Sequence, residues 1–366
     1  MNNTATSNTP WPTVKLGDVC EVVSGQSPEG VNYTSDSSFV EFHQGCKAFG
    51  EKFLQTSNVY TKEVTKLADA DSIVMSVRAP VGTVNITQRE ICIGRGLCTF
   101  IPANSLLRDY LYNYFLASNE KLNDVAGAGS VFPSISRKQL MGFPIPLPPL
   151  EVQREIVAKV EKGLEEADAL ATHFKRLAAL ADETFKAELD ETFQSLSAPT
   201  VKLGDVCEIK AGATHHDIQA EDGAYPVFGS GGYICQATKF RCPANTVTVG
   251  RKGTLDKPLL IEEPFWNIDT CFGVIPGEKI APRYLWHFCQ NFDFYHLVPS
   301  LGRPSTNSDA IKSIFIPLPP LAEQQSIVAK LEAVKVRCER LKAEAERGLK
   351  AAEALRKAVL AEAFEQ

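Results

Sequence analysis

No apolar run in this sequence approaches the ~20 residues needed to span a bilayer, which argues against a membrane-embedded chain. The first ten residues, Met1–Pro10, lack a basic-then-apolar leader and read as a disordered polar tail. The ten cysteines contain no Cys-x-x-Cys pair. Scattered thiols of this kind fit buried side chains in a reducing cytoplasm better than zinc ligands or disulfides. No Gly-x-x-x-x-Gly-Lys-Ser/Thr loop is present, which argues against an NTPase. No Ser-His-Asp set stands at a recognisable spacing. Basic excess is missing too: the net charge is −6.

That acidity is uneven. Residues 149–198 carry 6 basic and 11 acidic side chains, whereas 1–148 carry 12 and 13, 199–319 carry 11 and 12, and 320–366 carry 9 and 8. The first helical stretch holds most of the negative charge, and the remainder is near neutral. Total charge therefore neither supports nor excludes nucleic acid.

What is present is a duplication. Ile145–Glu161 and Ile316–Glu332 are identical at 12 of 17 positions, both opening Ile-Pro-Leu-Pro-Pro-Leu. A second motif, Pro-Thr-Val-Lys-Leu-Gly-Asp-Val-Cys-Glu, occurs unchanged at Pro12–Glu21 and Pro199–Glu208. After each exit motif come about 45 residues rich in Ala, Leu, Glu and Lys, with few helix breakers. The chain thus divides into 1–148 and 199–319, two similar globular parts, and 149–198 and 320–366, two long helices. The leading motifs lie 187 residues apart and the exit motifs 171. Gly82-Thr83 and Gly253-Thr254 are also 171 apart, which places the 16 extra residues of the first half before Gly82.

Within the first part, Ser72–Val77, Gly82–Thr87 and Ile91–Ile101 read as strands, the last interrupted by Gly94-Arg-Gly96. A helix follows from Ser105, a candidate N-cap, to Ser118, and Ser136 caps a short turn of helix. Gly127-Ala-Gly-Ser130 reads as a flexible loop. In the second part, Val247–Val249 and Phe272–Ile275 read as strands, and Pro282 starts a helix to about Asn291.

Along the first long helix, Ile156, Val160, Gly163, Ala167, Leu170, Phe174, Leu177 and Ala181 alternate at spacings of four and three. Ile327, Leu331, Val334, Cys338, Leu341, Ala345, Gly348, Ala352, Leu355 and Val359 do so along the second. This is a coiled-coil seam. Duplication makes the second helix run back antiparallel to the first, so the expected class is α+β: two α/β globular domains and a two-helix coiled coil, related by a pseudo-two-fold.

Catalytic signals are weak. Phe228-Gly-Ser-Gly231 reads as a turn and His215-His216-Asp217 as a solvated loop without ligand partners. Glu208-Ile-Lys210 matches the end of a nuclease motif, but the first half has Glu21-Val-Val23 there, which favours a plain strand. What remains are cations beside Gly or Pro in polar loops: Arg78, Arg95, Arg137 and Lys138 in the first half, and Arg251, Lys252 and Arg303 in the second, the last followed by Ser305 and Asn307. Arg and Lys hold phosphates and read guanine edges, while Ser and Asn serve base or backbone contacts. Two copies of one reading domain suit a duplex with its own local two-folds. A coiled-coil scaffold that never touches DNA is the alternative.

The Lys-Leu-Gly-Asp openings, Gly-Arg-Lys-Gly-Thr, and Ile-Pro-Leu-Pro-Pro-Leu-x-x-Gln-x-x-Ile-Val before a long helix resemble the specificity subunit of a type I restriction-modification system, from about Trp11 onward. The resemblance implies two target recognition domains, each reading half of an asymmetric bipartite site in double-stranded DNA, and no catalysis on this chain. It implies docking of two methyltransferase subunits, with restriction subunits joining them. Any S-adenosylmethionine, ATP and Mg would then sit on those partners, with no cofactor here. The helices and their Pro-rich starts would form the docking surface: Pro148, Pro149, Leu150 and Gln153, and Pro319, Pro320, Leu321 and Gln324.

Overall fold

The structure is a computed structural model and describes residues 11–127, 133–298 and 305–364. The expected tail at 1–10 lies outside the described residues, as do Arg303 and part of the loop from Gly127. The chain forms two compact units, residues 1–173 with 348–366, and residues 174–347.

In the first unit the two repeated motifs meet. Thr13–Lys15 pairs antiparallel with Pro144–Pro146, Val14 facing Ile145. A four-stranded antiparallel sheet follows in the order Cys20–Ser24, Leu97–Pro102, Ile73–Ser76, Val84–Ile86. A five-stranded sheet runs Tyr33–Thr34, Tyr60–Thr61, Val40–His43, Ile91–Ile93, Leu67–Ala68. The expected strand Ile91–Ile101 is therefore two strands in different sheets. Gly94 is the corner, because a Cβ there would press on Phe42 and Gln44.

The second unit repeats the frame. Thr200–Lys202 pairs with Phe315–Pro317. The four-stranded sheet runs Cys207–Ala211, Cys271–Pro276, Thr246–Gly250, Leu259–Ile261. Here the other sheet has three strands: Gly232–Ala237, Tyr225–Gly229 and Trp266–Asn267. Phe228-Gly-Ser-Gly231 lies at its hairpin turn, as expected. Glu208 and Lys210 are ordinary ladder residues opposite Ile275 and Gly273.

Register corrects one expectation. Phe100 pairs with Ile73 as Val274 pairs with Val247, so the central strands are 174 residues apart, as are the helices Arg108–Ala117 and Pro282–Asn291. Gly82 and Gly253 share a positive φ, 78° and 80°, but are not equivalent positions. Most of the extra length falls between Cys20–Ser24 and Ile73–Ser76, and a little falls after Arg108–Ala117. Ser136 does cap its helix, with a full capping box to Gln139, and Asn307 caps Ser308–Lys312. Ser105 is not a cap: the N-cap of Arg108–Ala117 is Leu107, without a side-chain bond of its own.

The long helices span Leu150–Ser195 and Leu321–Phe364. In the first unit Lys159 pairs with Glu362 at 2.6 Å and Asp168 with Arg356 at 2.6 Å. In the second, Glu188 pairs with Lys330 at 2.7 Å, and Asp182 pairs with Lys342. Numbers rise along one helix as they fall along the other, so the helix segments of each unit are antiparallel. A Cβ on Gly163 would lie 2.8 Å from both γ-methyls of Val359, so glycine permits this approach. The buried seam is a seven-residue ladder: Val160, Ala167 and Ala181 in one helix, and Leu331, Cys338, Ala345 and Ala352 in the other. Leu170, Leu341 and Leu355, expected in the seam, are 43%, 38% and 36% exposed: each stands three residues past a buried ladder position, at the edge of a contact made with a single partner helix.

Each domain core is closed by both helices. In the first unit Leu16, Ile73, Phe100, Tyr110 and Ile145 pack with Val160 and with Leu360 and Phe364. In the second, Leu203, Val247, Phe272, Tyr284 and Ile316 pack with Leu331 and with Leu189 and Phe193. All ten cysteines are free thiols. Burial pushes Cys20 and its counterpart Cys207 up to about 12, far from thiolate chemistry at neutral pH.

Candidate nucleic-acid interface

Antiparallel pairing puts four chain segments at one end of each four-stranded sheet. In the first domain Cys98 faces Ser24, Leu97 faces Ser76 and Met75 faces Val84. The loops after Ser24 and Ser76 and the loop before Leu97 therefore share that end. Backbone bonds stitch them together: Gly25 N–H to Leu97 O at 2.9 Å, Val77 N–H to Gly96 O at 3.0 Å, and Ile135 N–H to Val77 O at 3.0 Å. Arg78 bridges to Ser134.

This end gathers the cations expected from the sequence. Arg78, Arg95, Arg137 and Lys138 are all exposed. The Arg137 Nε donates to Val22 O at 2.7 Å, which fixes the side chain to the sheet. Among the described residues none of these four forms an ion pair, so their charge is available to an anion.

The second domain uses the same sheet end. The Arg251 N–H donates to Thr270 O at 2.8 Å, its own carbonyl accepts from Thr306 at 2.9 Å, and its guanidinium lies 5.6 Å from the Phe272 ring centre. Lys252 is exposed, bridges to Ser305, and has its Nζ 3.4 Å from Asp269. Asn307 Oδ1 accepts from Ala310 N–H at 2.8 Å, so its first role is as a cap. Arg303 lies outside the described residues. Thus Arg251, Lys252 and Ser305 come together by the frame that joins Arg78, Arg95 and Arg137, although neither sequence nor loop length is shared there.

The expected docking residues separate. Pro149, Pro320 and Leu321 are exposed and Leu150 is half-buried, whereas Pro148 and Pro319 are buried. Gln153 and Gln324 are both 0% exposed. Gln153 Oε1 accepts from Leu107 N–H at 2.8 Å, and its Nε2 donates to Ser105 O and Pro148 O, each at 2.8 Å. Gln324 makes the same set with Ala281 N–H, Lys279 O and Pro319 O, at 2.8, 3.0 and 2.9 Å. Each glutamine clasps the start of its long helix to the start of the helix inside its own domain. Its side chain cannot face a partner subunit, which corrects the docking assignment for these two positions.

Residues 33–59 carry no site signal in the sequence, yet they form a cleft of about 510 Å³. Tyr33, Phe42, Gln44, Lys47, Gln55 and Asn58 line it. Gln55-Thr-Ser-Asn58 is a run of amides and hydroxyls, but no apolar period assigns it to an element. No group of His, Cys, Asp and Glu among the described residues is arranged to hold a metal ion, and no described helix is long and apolar enough to cross a membrane.

The family model for the type I restriction modification DNA specificity domain matches residues 8–173 and again 198–350. A putative type I restriction enzyme MjaX specificity subunit from Methanocaldococcus jannaschii is 35% identical over 153 residues, covering 41% of this chain and 36% of that protein. The MjaIX specificity subunit of the same organism is 24% identical over 246 residues, 59% of this chain and 56% of the relative. The chain thus spans about a third and just over half of the lengths of these curated relatives. Among solved structures, a chain from work on complex assembly and conformational transition of the type I R-M system superposes with a TM-score of 0.80 at 20% identity, covering 97% of each chain. The HsdS subunit from Thermoanaerobacter tengcongensis superposes at 0.57 and 20% identity, covering 97% of this chain and 96% of that one. These two show the fold, and the doubled family match, falling on the two halves of the repeat, shows that the chain belongs to the type I restriction-modification DNA specificity family.

Proposed function

We propose that this chain is the sequence-reading subunit of a type I restriction-modification complex. Its two domains each read one half of an asymmetric bipartite site in double-stranded DNA. One observation carries this reading: the same end of the same sheet bears cations in both domains, Arg78, Arg95, Arg137 and Lys138 exposed in the first, half-buried Arg251 and exposed Lys252 in the second, on segments that differ in sequence. A shared frame with unlike tips is what recognition of two unlike half-sites requires. The paired long helices act as the spacer. Pro149, Pro320 and Leu321 are exposed at the junctions and Leu150 is half-buried; these positions serve two methyltransferase subunits, which restriction subunits join. Methyl transfer and cleavage belong to those partners, with S-adenosylmethionine, ATP and Mg bound there.

Mapping methylated bases in the host genome with and without this gene tests the reading. The expected result is loss of one bipartite methyl-adenine motif on deletion. An unchanged methylation map would overturn it in favour of a scaffold without DNA specificity, as would binding that ignores both sequence and salt.

A further inference from the structure

We infer that the cleft over Val40–His43 is where the first domain reads base edges of its half-site, with Gln44, Gln55 and Asn58 as the specificity-determining side chains. This rests on the DNA reading above and extends it to residues outside the cation-bearing loops.

Specificity must lie where the two domains differ. The four-stranded sheets match strand for strand, but the second sheets do not: five strands in the first domain, three in the other. Most of the extra length of the first half falls in the same segment. The cleft is built from it, with Gln44, Lys47, Gln55 and Asn58 at its rim. The floor is aromatic, Tyr33 stacked on Phe42 at 5.0 Å and 23°. Side-chain amides donate and accept side by side, the pattern that matches the N6 and N7 edge of adenine.

The rim is also held rigid from beneath, as a reading surface must be. Glu41, 6% exposed, accepts from Ser57 N–H at 2.5 Å and from Arg89 Nε at 2.5 Å. Arg89 in turn donates to the carbonyls of Leu54 and Gln55 at 3.3 and 3.2 Å. Buried Asn85 brackets the other end of the loop, accepting from Gly50 N–H at 2.8 Å and donating to Gly50 O at 3.0 Å. The acidic side chain beneath the cleft, Glu41, is already paired with an arginine.

The cleft also adjoins the cations. Gly94 N–H donates to His43 O at 2.7 Å, and a Cβ on Gly96 would run into the carbonyl of Gln44. Arg95 therefore stands between the two glycines that pack against Gln44. A phosphate held by Arg95 and Lys47 would bring the neighbouring base edges to the amides.

The test is made in the host with the full chain carrying Gln44→Ala, Gln55→Ala or Asn58→Ala, singly and together, reading methylation motifs genome-wide. The expected result is relaxation at one or more adenine-containing positions of one half-site, with discrimination falling roughly tenfold or more for each amide that reads a base. The other half-site keeps its sequence, and the purified variants unfold at the wild-type denaturant midpoint. An unchanged motif with all three substitutions overturns the inference. So does an even loss of methylation with no relaxed position, which marks a structural role. If the wild-type gene itself writes no bipartite motif, the proposed function fails first, and that result is read in the deletion strain alone.

Discussion

The ring of Phe364 packs against that of Tyr110, centroids 5.3 Å apart and planes tilted by 60°. It also meets Tyr114 edge-on at 5.5 Å. A residue on the second long helix thus completes the core of the first domain. Phe193, on the first long helix, does the same in the second domain against Tyr284 at 5.5 Å and Phe288 at 5.6 Å. The return of each helix is therefore fixed by core packing, not only by the seam.

Truncating Phe364 to Ala removes a side chain that is 7% exposed. The expected cost is about 3 kcal/mol, from reduced burial and the cavity left behind. Hydrogen exchange should show the effect around Tyr110–Phe115 while Tyr284–Phe288 stays protected. Phe193→Ala should give the mirror-image pattern. Equal deprotection of both domains by either variant would refute a separate core for each.

The glutamine clasps make a second prediction. Gln153→Leu keeps the volume but orphans the Leu107 N–H and the carbonyls of Ser105 and Pro148. Unsatisfied groups of this kind cost about 1–3 kcal/mol each, so a total of at least about 3 kcal/mol is expected in urea unfolding. Gln324→Leu should cost about as much, because its three bonds are the same. A cost under about 1 kcal/mol at either position would show that water replaces the clasp.

These clasps also mark where spacing and local chemistry stop being informative. The repeats, the helix starts at Pro282 and Ser136, and the antiparallel return are legible in the sequence, because they depend on spacing and on local capping chemistry. That the two repeated motifs pair with each other, Val14 with Ile145 and Val201 with Ile316, is not, since pairing over such separations leaves no local mark. A glutamine on an amphipathic helix reads as exposed, and its burial depends on orphan backbone groups contributed by another segment. For the site, Arg95, Arg251, Lys252 and Ser305 stand out through an adjoining Gly or Pro, and Arg78 and Arg137 as cations in polar stretches. The cleft of residues 33–59 does not, because its lining comes from short strands and irregular loops that follow no apolar period.

Acid should loosen that cleft in two steps. Burial alone would raise the Glu41 pKa. The Arg89 hydrogen bond, the Ser57 N–H, Thr56 and nearby His43 outweigh it and bring the group down to about 2. A depressed carboxylate stabilises the fold fully above its ordinary value of about 4.3, and that stability is lost as pH falls from there through about 2. His43, 2% exposed, is lowered from its usual 6.5 by burial, against the pull of Glu41. It is neutral in the fold, so its contribution starts to fade as pH drops below 6.5. Arg89→Ala should therefore destabilise the first domain by about 2 kcal/mol at pH 7 and by clearly less at pH 3, where Glu41 can take up a proton. The same destabilisation at both pH values would mean that the ion pair contributes nothing and only the carbonyl bonds of Arg89 matter.

The spacer role can be tested by changing helix length without changing seam phase. Seven residues inserted after Asp168 and seven before Arg356 restore the ladder that runs through Ala167 and Ala352, because seven is the period of the buried positions. At ~1.5 Å per residue they lengthen each helix by roughly 10 Å. Base pairs stack at about 3.4 Å, so the preferred gap between half-sites should grow by about 3 base pairs, with both half-site sequences unchanged. Four residues inserted into one helix alone rotate the seam away from its partner and leave Asp168 and Arg356 out of register, so methylation should be lost. Methylation mapping reads both outcomes. A seven-residue pair of insertions that leaves the gap at its original length would show that something other than the helices sets the distance.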